Sequence, residues 1–416
     1  CFAPNPRNPK QLHPVDCDLV TESKSTSNLD SNQTSKFDIK LKCDASDTIC
    51  KKVNISFQNA SAIISSYLIL DVPIVLNASF VSFCGSNPKC PESGILGLGA
   101  PTRWLLMQDD DSAQRLYPQA LVKQFQLNKH LTYDQFDIFV SFNSDKSFWF
   151  QGDPPMRSDQ YDFLYLMLHE IHHGLGFSSA WDTYYDYRIL TPLPAIDPIN
   201  GGGYGLYTKD PGNNDKIKFY ELAFDKYMIL LSNGTKTSTI TNKINEFFIG
   251  GSKTLSDFYD DFPHSPQYRI ARDMYQRATT AKTLGFLPQN TSNISQAVIL
   301  ETSFYPYRVG SSISHVDGVT YTNTSDFLMK AFATNGKTLA QIISIGGNYT
   351  LGPIGPKLKQ VMETLGYKTS DNLNPYVPRI VENGTTSSFS GRTFKPWDLK
   401  FRMVLVIMII LFVYKS

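Results

Sequence analysis

The chain lacks an excess of charge of either sign. Its 39 Lys and Arg residues balance 38 Asp and Glu residues, the formal net charge is +1 at pH 7, and no long basic run occurs. Proteins that bind the phosphate backbone of nucleic acids concentrate positive charge on one face. The composition therefore argues against nucleic acid as a partner. A hydrophobic content of 41% with 19% charged residues is typical of a globular protein.

Cysteine is absent from the last three quarters of the chain. All six cysteines lie within the first 90 residues, and none belongs to a C-x-x-C pair, which argues against a cysteine-ligated zinc cluster. An even number with two short spacings indicates disulfides formed in an oxidising compartment. Six cysteines allow many connectivities; the pairing that we expect is Cys43–Cys50, Cys84–Cys90 and Cys1–Cys17.

An N-terminal leader is also missing. The sequence begins at Cys1 without an apolar leader, so we expect a form from which a signal peptide has been removed. Sequons of the form N-x-S/T agree with passage through the secretory pathway and predict a glycoprotein. They occur at Asn32, Asn54, Asn59, Asn77, Asn233, Asn290, Asn293, Asn323, Asn348 and Asn383.

Only the C-terminus holds a long, purely apolar run. Residues 403–414 are almost entirely aliphatic, but as a helix they span about 18 Å, short of the roughly 30 Å of a bilayer core. Small residues around Ser387 and Ser388 and a polar spacer precede the run. This order is typical of a GPI-anchor signal, and a short single-span anchor is the alternative. We therefore expect an extracellular protein held at the cell surface.

The central motif of the chain is His169-Glu170-x-x-His173. The residues before it contain no Gly or Pro and predict a helix, which Gly174 and Gly176 are expected to end. Residues i and i+4 share one face of a helix, so the two histidines are placed as two ligands of a Zn²⁺ ion are. Glu170 lies next to them, where it can act as a general base.

A catalytic zinc ion needs a third protein ligand. The compact metzincin pattern H-E-x-x-H-x-x-G-x-x-H matches as far as Gly176 but has Ser179, a poor ligand, at its last position. His172 lies at i+3 from His169, and we interpret it as a neighbour of the site. The other candidates are Asp182, which is off register, Glu221 in a Glu221-x-x-x-Asp225 pattern like that of thermolysin-like enzymes, His264 and His315.

The segment around His315 resembles the zinc site of leishmanolysin-type metzincins, because Phe327-Leu328-Met329 follows the histidine shortly after. In that family a long insertion separates the H-E-x-x-H-x-x-G-F helix from the third histidine, and a methionine forms a turn beneath the metal. The resemblance covers roughly residues 45 to 370, with an unusually long gap before the third histidine. It implies His169, His173 and His315 as Zn²⁺ ligands, Glu170 as the base and Met329 as the Met-turn residue.

The same resemblance implies an α+β fold, a metzincin-like zinc metalloprotease catalytic domain with a large helical insertion. The expected segments are a cysteine-containing arm (1–44), a subdomain with the zinc helix (45–182), the insertion (183–300), a subdomain with the third histidine (301–370), a polar stalk (371–402) and the hydrophobic tail (403–414).

Local patterns support parts of this fold. Apolar spacing predicts helices over 53–70 and 353–367 and strands over 74–81 and 136–142. In the metzincin fold, a strand like the one over 136–142 forms the rim to which an extended peptide substrate adds. The glycines of 94–99 precede no helix start and no phosphate-binding Lys, so a nucleotide loop is not expected.

The function predicted from these residues is that of a secreted or cell-surface zinc endopeptidase acting on protein or peptide substrates. Two alternatives remain open at this point. One is a thermolysin-like zinc hydrolase with Glu221 as the third ligand. The other is a non-catalytic surface glycoprotein on the same scaffold.

Overall fold

The computed structural model describes residues 1–5, 8–14, 19–20, 36–85, 90, 94–128, 130–131, 133–195, 218–247 and 260–381. Helices and strands alternate along the chain, and the protein is a mixed α/β structure. The predicted tail at 403–414 and most of the predicted stalk lie outside the described residues. Within them, no helix combines the length and the apolar character needed to cross a bilayer.

The strands are β1 (Phe2–Asn5), β2 (Asn8–Pro14), β3 (Leu19–Val20), β4 (Phe37–Cys43), β5 (Ile74–Val81), β6 (Gly97–Pro101), β7 (Trp104–Gln108), β8 (Gln114–Pro118), β9 (His130–Leu131), β10 (Ile138–Asn143), β11 (Phe148–Trp149), β12 (Tyr161–Asp162), β13 (Leu193–Ala195), β14 (Lys218–Leu222), β15 (Met228–Leu230), β16 (Leu284–Phe286), β17 (Val298–Ile299) and β18 (Arg379–Ile380).

The helices are α1 (Asp47–Tyr67), α2 (Gln119–Val122), α3 (Phe163–Gly174), α4 (Thr237–Ile244), α5 (Pro266–Ala278), α6 (Gly318–Tyr321), α7 (Leu339–Ile345) and α8 (Pro356–Leu365). The predicted helices over 53–70 and 353–367 are confirmed as α1 and α8, and the predicted strands over 74–81 and 136–142 as β5 and β10.

A four-stranded sheet supports the helix that carries the central motif. Its order is β4-β5-β10-β6, with β4, β5 and β10 parallel and β6 antiparallel to β10. Helix α3 contacts both β6 and β10 as well as α1. Phe163 at the start of α3 packs its ring against four others of the core, those of Phe80, Phe142, Phe148 and Phe150.

The prediction that the strand over 136–142 forms an open rim is wrong. Strand β10 lies between β5 and β6, so both of its edges are hydrogen-bonded to neighbouring strands. In the described part of the chain, the edge strands of this sheet are β4 and β6. Strand order depends on contacts between distant segments, which the local pattern of β10 does not contain.

The two glycines of β6 allow its backbone to lie directly on α3. A Cβ at Gly99 would lie 2.0 Å from the carbonyl oxygen of Glu170, and one at Gly97 would lie 3.3 Å from Cγ of the same glutamate. The G-x-G element therefore serves a close approach of strand and helix. Helix α3 ends at Gly174, as predicted, and Gly176 adopts a φ of 109° in the turn that follows.

The segment 183–300, predicted to be a helical insertion, contains strands as well as helices. Its described part holds α4 and α5, but also the strands β13 to β17. Strand β14 pairs in parallel with β8, inside a larger sheet of order β13-β14-β8-β7-β1-β2 to which β18 adds on β7. The description of this segment as helical is therefore corrected, whereas the segment boundaries stay a prediction.

Two of the three expected disulfides are confirmed. Cys43 bonds to Cys50 at the start of α1, and Cys84 bonds to Cys90. Cys1 is also disulfide-bonded. Its expected partner, Cys17, lies outside the described residues.

The contact between β6 and α3 yields a stability prediction. Gly99→Ala should lower the free energy of unfolding by about 3 kcal/mol, because the new methyl group meets backbone atoms that cannot move aside. Gly318→Ala is the matched control, since its new Cβ would approach nothing closer than Oε2 of Glu301 at 3.4 Å. Denaturant unfolding measures both variants. Equal midpoints for Gly99→Ala and the wild type would contradict the close packing described here.

Candidate metal centre

Three histidine side chains converge on one point. The Nε2 atoms of His169, His173 and His315 lie 3.1 Å from one another in all three pairs. His169 and His173 come from successive turns of α3, and His315 comes from the segment after β17. This is the one group of His, Cys, Asp and Glu side chains with metal-ligand spacing in the described part of the chain.

The ring nitrogens that face away from this point are held by backbone carbonyls. Nδ1 of His169 lies 2.8 Å from the carbonyl oxygen of Leu328, Nδ1 of His173 lies 2.7 Å from that of Phe177, and Nδ1 of His315 lies 2.9 Å from that of Ser311. A carbonyl oxygen only accepts, so each Nδ1 carries the proton and donates it. Each neutral ring is left with its lone pair on Nε2.

Three lone pairs facing one another at 3.1 Å repel, and a cation between them removes that repulsion. A tetrahedral Zn²⁺ ion with Zn–N bonds of about 2.0–2.1 Å sets its ligand atoms roughly 3.3 Å apart, close to the observed spacing. Burial, the largest cause, lowers the pKa of His169 to about 4 and so keeps this ring neutral at pH 7. The donor set therefore fits a zinc ion.

Glu170 lies on the same helix, beside the triad and against the β6 backbone at Gly97. Its side chain is buried, with 7% of the residue exposed. Burial raises the pKa of this carboxyl to about 8. A carboxylate with a raised pKa is a stronger base than one in water.

A turn at Leu328 and Met329 supports the triad through two backbone carbonyls. The carbonyl of Leu328 accepts the proton of His169, and the carbonyl of Met329 accepts from the backbone N–H of Val316, next to His315. The side chain of Met329 is buried, with 1% exposed. The structure thus places Met329 in a turn hydrogen-bonded to the segment that carries the third histidine.

The backbone around His315 is held on both sides. The N–H of Glu301 donates to the carbonyl of His315, and the N–H of Ile313 donates to the carbonyl of Glu301. Ile313 adopts a φ of 56° and is fully buried, although the left-handed region is rarely adopted by β-branched residues. Strain of this kind persists where surrounding contacts impose it.

Glu221 lies outside this site, and the alternative that makes it the third ligand is not supported. One of its oxygens accepts from Nε of Arg115 at 2.8 Å and from Ser238, and the other accepts from Thr241 at 2.6 Å. Arg115 is buried and also bonds to Asp109 and Asp111. The carboxylate of Glu221 is thus engaged in a buried ion-pair cluster.

The remaining histidine candidates are separate from the triad. His172 is fully buried; its Nδ1 lies 2.6 Å from the carbonyl of Leu168 and its Nε2 lies 2.7 Å from the hydroxyl of Tyr67 on α1. It joins two helices, in agreement with the interpretation of His172 as a neighbour of the site. His264 is exposed on a short 3₁₀ turn.

Asp225 has a role that the sequence did not reveal. Its carboxyl accepts hydrogen bonds from the hydroxyl of Ser179 at 2.6 Å and from the N–H groups of Ala180 and Leu222, both at 2.8 Å. These bonds hold the loop after α3, which includes the Phe177 carbonyl that orients His173. The sequence pattern Glu221-x-x-x-Asp225 includes this residue. The pattern alone does not distinguish a metal ligand from a residue that holds a loop in place.

Comparison with known proteins places the chain in a family. The family model described as SPBPB7E8-like matches residues 5–398. The chain belongs to the SPBPB7E8-like family. It is 30% identical over 378 residues to an uncharacterized protein of Schizosaccharomyces pombe, PB7E8.01, in a match that covers 81% of this chain. The match spans 63% of the length of that relative. No solved structure matches the chain.

Metal binding by the triad can be tested against the Glu221 alternative. His315→Ala should lose bound zinc, because two imidazoles alone make a weak site, whereas Glu221→Gln should keep it, since its carboxyl faces Arg115. Zinc content after dialysis and competition with a chromogenic chelator measure both variants, with circular dichroism as the control for folding. Zinc retained by folded His315→Ala and lost by folded Glu221→Gln would reverse the assignment.

The raised pKa of Asp225 predicts that the stability of the protein depends on pH. Burial, with a smaller contribution from the negative charge of Glu221, raises the pKa of Asp225 from 3.8 to about 7 in the folded protein. The folded state therefore binds a proton more tightly than the unfolded state, and this contribution to stability is complete below about pH 4 and lost as the pH rises through 7. Asp225→Asn should flatten the decline in thermal midpoint between these values. An unchanged profile would contradict the assignment.

Proposed function

We propose that the protein is a zinc-dependent endopeptidase that hydrolyses peptide bonds. The observation that carries the proposal is the triad: three Nε2 atoms 3.1 Å apart, each on a ring whose Nδ1 donates to a backbone carbonyl. The triad lies beside a buried glutamate on the same helix. Three neutral imidazoles leave one position of a tetrahedral zinc ion for the reaction, which is the ligand set of catalytic rather than structural sites.

In this reaction His169, His173 and His315 would hold the metal. Bound there, zinc would supply polarisation of the scissile carbonyl and would lower the pKa of water from about 15.7 toward roughly 7. Glu170 accepts a proton from the attacking water at a carboxylate oxygen and then gives it to the leaving amine. Its burial favours the first of these steps, because a carboxylate with a raised pKa has the higher affinity for the proton of the attacking water. Water attacks directly, so no acyl-enzyme forms.

The arrangement supports the resemblance to leishmanolysin-type metzincins. The third histidine lies 142 residues after His173, beside a buried turn that contains Met329, and α8 closes the segment. The mixed α/β fold is compatible with such a catalytic domain. The strand proposed to receive the peptide substrate is now β6, because it is the edge strand of the four-stranded sheet that lies against Glu170.

We also propose that the enzyme acts outside the cell. Two disulfides are present within the described residues, and these persist in oxidising compartments. Seven of the sequons have an exposed asparagine, namely Asn54, Asn77, Asn233, Asn290, Asn293, Asn323 and Asn348. The predicted anchor signal at 403–414 lies outside the described residues, and attachment to the membrane stays part of the proposal.

Replacement of the proposed base tests the function. Glu170→Gln should keep stoichiometric zinc, because the triad is intact, and should lower kcat by roughly 10²- to 10⁴-fold, because the proton acceptor is lost. Hydrolysis of a quenched fluorescent peptide library by purified protein, with and without chelator, measures the effect. Glu363→Gln, on α8, is a control on a different helix and should retain wild-type activity.

Two results would overturn the proposal. Full activity of zinc-loaded Glu170→Gln would exclude this residue as the base. A zinc-loaded wild type that cleaves no peptide in the library, while it binds other proteins, would favour the non-catalytic surface glycoprotein.

A further inference from the structure

An exposed arginine lies over two aromatic rings, on the segments that precede His315 and follow Met329. The guanidinium carbon of Arg308 is 4.8 Å from the ring centre of Phe304 and 5.5 Å from that of Phe332, and the two ring centres are 5.3 Å apart. Cation–π contacts of this kind hold a guanidinium in place without occupying its N–H edges. We call Phe304, Arg308 and Phe332 the arginine patch.

The patch is joined to the triad through two backbone segments. The carbonyl of Arg308 accepts from the N–H groups of Ser311 and Ser312, at 3.0 and 2.8 Å, and the carbonyl of Ser311 holds Nδ1 of His315 at 2.9 Å. Phe332 lies three residues after Met329, on the segment whose Leu328 carbonyl holds His169. The patch is therefore built on the two segments whose backbone carbonyls orient His315 and His169.

The guanidinium has no carboxylate partner among the residues that the structure describes. Two other exposed arginines are paired with a carboxylate, Arg157 with Asp159 and Arg188 with Asp186. Within the described residues, exposed Arg269, Arg272, Arg277 and Arg379 form no ion pair either, but Arg308 differs from them in being held over two aromatic rings. The surface beside Arg308 is apolar, since Phe332 and Val309 are 41% and 38% exposed. An oriented guanidinium surrounded by apolar groups is complementary to a carboxylate, which it binds through two parallel N–H groups.

We propose that the arginine patch is a subsite that binds an aspartate or glutamate side chain of the peptide substrate. This inference rests on the proposed peptidase function and adds a preference for acidic residues near the scissile bond. The carboxylate accepts from the guanidinium, and the methylene groups of the substrate side chain pack on the ring of Phe332. Arg308 touches substrate, not the reacting atoms, so it determines specificity and is not a base.

The test compares matched peptides. The zinc-loaded wild type hydrolyses pairs of quenched fluorescent peptides that differ only in having Glu or Gln at one position. That position is moved in turn from three residues before the cleaved bond to three residues after it. At one position the Glu peptide should have the larger kcat/KM, on the order of fivefold for a partly exposed pair. Arg308→Gln should remove this ratio by lowering kcat/KM for the Glu peptide to about the value for the Gln peptide. Arg308→Lys should keep part of it, because charge remains without the paired N–H groups.

Arg188→Gln is the matched control. Arg188 also lies over an aromatic ring, that of Tyr187 at 5.2 Å, but its guanidinium is already paired with Asp186. This variant should keep the wild-type ratio. Phe332→Leu is a second test of the subsite. Loss of one ring should lower the Glu-to-Gln ratio of kcat/KM without changing the charge of the protein.

Several results would overturn the subsite. These are a wild type indifferent to Glu and Gln at every position, an unchanged ratio in Arg308→Gln, or an Arg308-independent preference for apolar side chains. A dimer of the wild type that Arg308→Gln dissociates in sedimentation would assign the patch to a second copy of the chain instead.

Failure of the peptidase function can be told apart from failure of the subsite. Binding of the same labelled peptides to zinc-loaded Glu170→Gln, measured by fluorescence anisotropy, makes the Glu-against-Gln comparison without turnover. A protein that cleaves nothing but still binds the Glu peptide through Arg308 would contradict the peptidase and retain the acidic preference.

Discussion

Three backbone carbonyls determine where the imidazole rings of the triad point. Those of Phe177, Leu328 and Ser311 each accept one Nδ1 proton, and each belongs to a different turn of the chain. A hydrogen bond of this kind sets the tautomer and the orientation of a ligand ring at once. The helix supplies the spacing of His169 and His173, but the turns supply the direction of their lone pairs. The candidate metal centre therefore depends on loop structure as much as on α3.

The segment between the two halves of the site takes part in this arrangement. Arg115 on β8 binds Glu221 on β14, and the 3₁₀ turn that follows β14 carries Asp225. Asp225 in turn holds the loop after α3 through Ser179 and the Ala180 N–H. A buried ion-pair cluster is weak evidence for stability, because desolvation offsets most of the attraction. The cluster instead helps to position the loop after α3, since it connects the larger sheet to the carbonyl that orients His173.

Much of the site was predictable from local sequence, and the failures share one cause. The i, i+4 spacing of the histidines, the helix ending at Gly174 and the alternation in β5 are each set by neighbours in sequence, and the structure agrees. The third ligand could be suggested only through a resemblance, because His315 is distant in sequence. The functions of Glu221 and of the β6 glycines, and the internal position of β10, depend on partners far along the chain: Arg115 lies 106 residues before Glu221. Contacts of this kind cannot be predicted from the sequence pattern of a single segment.

The separation of the histidines in sequence has a consequence during synthesis. His173 and His315 are 142 residues apart, so a nascent chain carries only two of the three imidazoles until His315 has been synthesised. The carbonyls of Ser311 and Leu328 are also supplied late. The proposed hydrolytic activity would therefore arise only after the chain has been made beyond His315 and has folded, which would protect the cell that makes it from premature cleavage of its own proteins.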